Sequence, residues 1–177
     1  MDCKVIAAVK DGLFNTALVA KGDWIFDLSP DISELTVKAE MCHKAGKKYF
    51  IHFDLAAGIG KDKSGIVFAK SAGVDGIIST RVNIIKMAKE AELFTVQRFF
   101  IVDSHSIETT LEGIKSAKPD TVEIMPGIAS KVIKRLSRTS CVPIIAGGLI
   151  ETKEEIIEAV SSGAAAVSTG KAELWIK

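Results

Sequence analysis

Two stretches near the end of the chain carry the residues best suited to hold an anion. One runs Val142-Pro-Ile-Ile-Ala-Gly-Gly-Leu149 and the other Gly163-Ala-Ala-Ala-Val-Ser-Thr-Gly170. Each is a short apolar run that ends in small residues. Glycine has no side chain, so a ligand can come close to the backbone N–H groups there. A helix starting just after Gly170 would point its unpaired N–H groups and positive dipole end at the same place. A phosphate is the anion such an arrangement holds. Gly147, Gly148, Ser168, Thr169 and Gly170 are therefore the candidate phosphate-binding residues.

A second set of polar residues sits inside or at the ends of runs that are otherwise hydrophobic. His52 and Asp54 fall in one such run, Gln97 and Arg98 in another, and Glu123 in a third; Lys10 and Arg81 follow two more. A buried charge is costly unless it is paired or hydrogen-bonded. One reading pairs Asp54 with Arg81 and Glu123 with Arg98. The other has these groups line a polar pocket that binds hydroxyls of a small ligand, with Lys10, Asp54, Arg81 and Glu123 as its ligand-binding residues. Both can hold at once. Asp54 and Glu123 could also serve as acid and base, but no clear pair of catalytic roles emerges.

Several familiar constellations are missing. Gly58-Ile-Gly60 is followed by Lys63 where a dinucleotide fingerprint needs glycine, and Gly170-Lys171 lacks the rest of a P-loop. The three scattered histidines make no convincing metal set. No lysine lies late in a strand, where a Schiff-base aldolase needs its nucleophile. These gaps argue against an enzyme and against a metal or organic cofactor.

The elements that position these residues alternate along the whole chain. Strands are expected at Val5–Val9, Trp24–Leu28, Tyr49–Leu55, Gly76–Ser79, Phe94–Val102, Thr121–Met125, Pro143–Ala146 and Ala165–Val167. Helical patterns fill the gaps between them. Ser29-Pro30 reads as the start of a helix to about Ala45, Gly46 as a left-handed cap, and Thr152-Lys-Glu-Glu155 as a capping box. Eight β/α units predict one domain over residues 1–177, an α/β fold that is a minimal (β/α)8 TIM-type barrel. An open doubly wound parallel sheet is the alternative. Such a barrel binds ligands at the C-terminal ends of its strands and phosphate at its last two loops. Ala72-Gly-Val-Asp-Gly-Ile-Ile-Ser-Thr80 echoes Ser162-Gly-Ala-Ala-Ala-Val-Ser-Thr169, half a chain away, as two four-unit halves would.

Bulk properties narrow the class further. The chain is 47% hydrophobic and 25% charged, with no apolar run near membrane-spanning length. Met1-Asp-Cys-Lys-Val-Ile lacks the features of a signal peptide, so a cytoplasmic location is expected. Three widely spaced cysteines do not suggest a disulfide framework. A net charge of +1 gives no global pull toward nucleic acid. Any such contact needs a local patch, and one is present. Lys131, Lys134, Arg135 and Arg138 recur at helical spacing, opposite an apolar stripe of Ala129, Val132, Ile133 and Leu136. They could meet an RNA backbone or simply form a solvated face.

Taken together, the segments resemble a bacterial family, the glycerol uptake operon antiterminator proteins. The stretches that carry the likeness are Ile51-His-Phe-Asp-Leu55, Gly76-Ile-Ile-Ser-Thr-Arg81 and Gln97-Arg-Phe-Phe-Ile-Val-Asp103. They continue in Glu123-Ile-Met-Pro-Gly-Ile128, Ile144-Ile-Ala-Gly-Gly-Leu-Ile-Glu-Thr-Lys-Glu-Glu155 and Leu174-Trp175. The resemblance implies a regulator that senses glycerol 3-phosphate as effector and acts on the leader mRNA of glycerol-utilisation genes. By position, Gly147, Gly148, Ser168, Thr169 and Gly170 would hold the phosphate. Asp54, Arg81, Glu123 and Lys10 would face the glycerol end. The partners implied are the phosphorylated ligand, the mRNA leader and a second copy in a homo-oligomer. The rival is a barrel isomerase or lyase acting on a small phosphorylated substrate.

Overall fold

Eight parallel strands close into a barrel, each hydrogen-bonded to the next and β8 returning to β1. The structure, a computed structural model, describes residues 4–10 and 12–175. Cys3 and the readings made on the first residues lie outside them. In chain order the elements are β1 (Lys4–Val9), α1 (Phe14–Leu18), β2 (Trp24–Asp27), α2 (Leu35–Lys44), β3 (Lys48–His52) and α3 (Lys63–Ser71). They continue with β4 (Gly76–Ser79), α4 (Val82–Glu90), β5 (Phe94–Phe100), α5 (Ser104–Ala117) and β6 (Thr121–Met125). The last are α6 (Ser130–Thr139), β7 (Ile144–Gly147), α7 (Lys153–Ser161) and β8 (Ala166–Thr169). The expected barrel is present, and the open sheet is not.

The period-2 alternation of strands sorts side chains into two cores. Ile6, Ala8, Phe26, Phe50, Ile78, Val96, Ile145 and Ala166 fill the barrel interior. Their sequence neighbours, such as Ala7, Ile25, Ile51, Ile77 and Val167, point outward against the helices. At the N-terminal end, Trp24 stacks on Phe50 with ring centroids 4.5 Å apart, and Phe94 meets both edge-on. Gly76 is required there: a Cβ would come within 2.4 Å of the Phe50 ring. A cavity of about 170 Å³ opens beside Trp24 and Phe94, at the end of the barrel remote from the glycine loops.

Several element ends differ from the sequence reading. Ser29-Pro30 does not start α2, which begins at Leu35. The carboxylate of Asp31 instead accepts the Ser33 N–H, at 2.9 Å, and the segment bridges to Ala57. β3 ends at His52, and Phe53–Leu55 form a 3-10 turn, so Asp54 does not share the strand's pleat with His52. The expected terminal helix is only a 3-10 turn, Ala172–Leu174. Gly46 takes the left-handed cap, at φ 70°, and Thr152 and Glu155 form the capping box on α7.

The internal echo has a structural counterpart. Gly73 and Gly163 follow α3 and α7 with positive φ, 90° and 107°. At the ends of β4 and β8, the Ser79 hydroxyl accepts the Arg81 N–H (3.0 Å) and the Thr169 hydroxyl accepts the Lys171 N–H (3.1 Å). The same strand-to-loop turn is built twice, on opposite sides of the barrel.

Candidate functional site

The C-terminal mouth of the barrel has a buried polar floor. Arg98 on β5 and Glu123 on β6 are register partners. Arg98 Nε donates to Glu123 Oε2 at 2.7 Å, with both side chains buried. Of the two pairings read in the sequence, this one is a close contact. Ser168 on β8 donates its hydroxyl to the other carboxylate oxygen, Oε1, at 2.5 Å. Gly147 lies over this pair: a Cβ there would stand 2.4 Å from Glu123 Oε1 and 2.6 Å from Ser168 Oγ. Any larger residue at this position of β7 would collide with the buried carboxylate and hydroxyl.

Asp54 and Arg81 form a second, shallower group. The 3-10 turn after β3 carries the Asp54 carboxylate to the end of β4. There it accepts the Ser79 hydroxyl (2.7 Å), the Thr80 N–H (2.8 Å) and the Thr80 hydroxyl (3.0 Å). Burial raises its pKa, but the hydrogen bonds from Thr80 and Ser79 outweigh burial and hold Asp54 below the usual carboxylate value. Arg81 is more loosely placed, its Nε 3.8 Å from Asp54 Oδ1 and its side chain largely exposed. Lys10, just past β1, is also exposed.

The glycine loops differ from the arrangement read in the sequence in two respects. Their hydroxyls are engaged within the protein. Thr169 Oγ1 donates to the Ile150 carbonyl at 2.6 Å, and the Thr169 carbonyl accepts the Trp175 indole N–H at 2.8 Å. Among the described residues, only the 3-10 turn Ala172–Leu174 follows Gly170, in place of a helix whose dipole would point at the site. What the loops offer is backbone. Gly148 has φ 77° and Leu149 φ 60°, a left-handed pair that glycine makes possible. Among the described hydrogen bonds outside helices and strands, none uses the N–H of Gly148 or Gly170.

Three further residues lie at the mouth, two of which, His52 and Arg98, were among the polar groups read in the sequence as lining a pocket. His52, at the end of β3, is 5% exposed and its Nδ1 has no hydrogen-bond partner in the protein. Burial, reinforced by the Arg98 charge, pushes its pKa down to about 4, so the ring is neutral at pH 7. Arg98, read both as the partner of Glu123 and among the pocket-lining groups, has an Nη2 that is buried without a partner among the described residues. Lys61, in the loop before α3, donates to the Ala56 carbonyl, and its Nζ lies 5.2 Å from the centre of the Phe53 ring. Strand alternation supports that reading for His52 and Arg98, two residues beyond the interior Phe50 and Val96. Nothing in sequence marks Lys61. Phe100 at the end of β5, and Val102 and Leu149 in the loops after β5 and β7, are exposed apolar residues at the same end of the barrel as the polar floor.

Helix α6 lies on the outside of the barrel. Ile133 and Leu136 are buried under it, while Lys131, Lys134, Arg135 and Arg138 all face solvent. None of the four makes an ion pair among the described residues. The described residues contain no three-residue group able to hold a metal and no helix long and apolar enough to cross a membrane.

Residues 5–175 match the family described as glycerol-3-phosphate responsive antiterminator. The chain is 35% identical to an uncharacterised protein of Escherichia coli K12 over 97% of its own length and 91% of the relative's. Two solved structures are similar over nearly their whole length. A glycerol uptake operon antiterminator regulatory protein from Listeria monocytogenes superposes with a TM-score of 0.91 at 32% identity, covering 99% of this chain and 96% of that one. A glycerol uptake operon antiterminator-related protein from Thermotoga maritima gives 0.86 at 33% identity, covering 99% of both chains. Deoxyribose phosphate aldolase from Aeropyrum pernix gives 0.75 at 13% identity, which is a likeness of fold alone.

Proposed function

The chain belongs to the glycerol-3-phosphate responsive antiterminator family, and on that footing we propose that it is a cytoplasmic regulator that binds glycerol 3-phosphate at the C-terminal mouth of the barrel and acts on the leader mRNA of glycerol-utilisation genes. The observation that carries the ligand half is the glycine-lined mouth. The buried Glu123–Ser168 pair packs directly against Gly147, and the N–H groups of Gly148 and Gly170 make no hydrogen bond among the described residues. The phosphate rests against the loops Gly147–Gly148 and Ser168–Thr169–Gly170, with the Gly148 and Gly170 N–H groups as donors. Lys10 and Arg81 are exposed cations at the same end of the barrel and add charge attraction. Asp54 and Glu123 face the glycerol hydroxyls.

A regulator fits these carboxylates better than an isomerase or lyase does. Glu123 is held by an arginine and a serine, and Asp54 is kept ionised by three hydrogen bonds. A general base or acid works best with a pKa near the operating pH, and Asp54 is shifted the other way.

The RNA half rests on family membership and on the unpaired cations of α6. The leader is released or engaged according to whether the effector is bound, through a difference in effector affinity between two conformations. A gel shift with a glycerol-gene leader, with and without glycerol 3-phosphate, tests it. A shift that depends on the effector is expected. No binding in either condition at low salt contradicts the RNA role.

A further inference from the structure

The buried groups of the mouth deepen this reading of the site and rest on it. Among the described residues, only His52, Gln97 and Arg98 have buried side-chain atoms without a hydrogen-bond partner in the protein. Gln97 lies outside the barrel wall, 3.4 Å from where a Cβ on Gly113 of α5 would stand. The other two lie inside, two residues beyond the interior Phe50 and Val96. A buried guanidinium N–H and a buried imidazole nitrogen left without partners each carry a desolvation cost. Their neighbour Glu123 is itself fully buried, with Oε1 packed against Gly147, where a Cβ would stand only 2.4 Å away. Each of its oxygens accepts one hydrogen bond, from Arg98 or from Ser168, so lone pairs remain on both.

We propose that Arg98, His52 and Glu123 form a hydroxyl-recognition floor that selects a phosphorylated vicinal diol over a ketone or a bare phosphate. Each alcohol group both donates and accepts. One hydroxyl accepts from Arg98 Nη2 while donating to Glu123, and the adjacent hydroxyl meets His52 Nδ1. A neutral imidazole suits this role, because it bonds a hydroxyl without bringing a second positive charge beside Arg98. A carbonyl at the central carbon can accept from Arg98 but has no proton for Glu123. It leaves that buried carboxylate lone pair unmet, which is how a hydrogen-bonding site rejects an analogue lacking the hydroxyl. Ser168 then has a supporting role: it fixes Glu123 from the β8 side and lets the loop N–H groups take the phosphate.

Calorimetric titrations of the whole chain with glycerol 3-phosphate, dihydroxyacetone phosphate and inorganic phosphate separate this inference from the reading beneath it. Glycerol 3-phosphate is expected to bind at least tenfold more tightly than either of the others. Arg98→Lys and His52→Leu should weaken glycerol 3-phosphate at least tenfold while leaving inorganic phosphate within about twofold. His52→Asn keeps a polar atom near the Nδ1 position and should recover much of the loss, which a packing defect would not allow. Thermal melts show which variants are folded, and His52→Asn keeps the test open if Arg98→Lys is not. Equal affinity for the diol and the ketone, or variants that bind the diol like the wild type, overturn the recognition floor while the phosphate site stands. Failure of all three compounds to bind removes both.

Discussion

Glu123 is the residue on which the mouth depends most. It is fully buried, and its charge is balanced by Arg98 at 2.7 Å and a hydroxyl from Ser168. Removing one partner of a buried pair leaves the other as an uncompensated charge, at about 3–5 kcal/mol. Glu123→Ala is therefore expected to lower the urea midpoint by a stability loss of that size, and Ser168→Ala by much less. His52 gives a pH signature. Its folded pKa is about 4, against an ordinary value of 6.5. Between those values the unfolded chain binds a proton that the folded chain refuses, so stability falls as pH drops from 6.5 toward 4. The loss approaches about 3 kcal/mol once the pH is at or below the folded value. His52→Asn removes this contribution. The wild type should lose stability relative to the variant as the pH falls through this window; parallel curves would mean that His52 is not held neutral.

At the scale of elements, the strands were legible and their ends were not. Alternating apolar runs fix which residues face the barrel, and that pattern survives in every strand. It also placed Glu123 beside Arg98. Ser29-Pro30 misled because its helix-starting chemistry is local, whereas the Asp31 turn and the bridge to Ala57 depend on a contact distant in sequence. The partners of the Ser168 and Thr169 hydroxyls were likewise not visible in sequence. Sequence offered these hydroxyls to a ligand, and tertiary partners on β6 and after β7 took them. The basic face of α6 was fully legible, because 3.6-residue spacing decides it. If α6 meets RNA, Lys134→Ala with Arg135→Ala removes two phosphate contacts. Leader affinity should fall, and the slope of log affinity against log salt should flatten by about 1.4 for a single-stranded target. Glycerol 3-phosphate affinity should be unchanged, since α6 lies outside the barrel. An unchanged salt slope would move the RNA surface elsewhere.

For the molecule as a whole, the barrel explains how so short a chain builds a site. Each β/α unit contributes one strand end to the mouth. The turn repeated after β4 and β8 sets Arg81 and Lys171 half a barrel apart. The family assignment says what the molecule responds to, and the proposed place for that ligand is the glycine loops with their polar floor. A ligand that binds only the folded state stabilises it by mass action, by about 2.7 kcal/mol at a hundred times its dissociation constant. For a chain of this length that corresponds to a melting-temperature rise of roughly 5–10 °C. The most direct measurement is therefore a thermal-shift titration with glycerol 3-phosphate. A rise that continues with the logarithm of ligand concentration and exceeds the rise with inorganic phosphate is the result predicted. No rise at millimolar glycerol 3-phosphate, in a protein that melts cooperatively, would contradict an effector site at the mouth of this barrel.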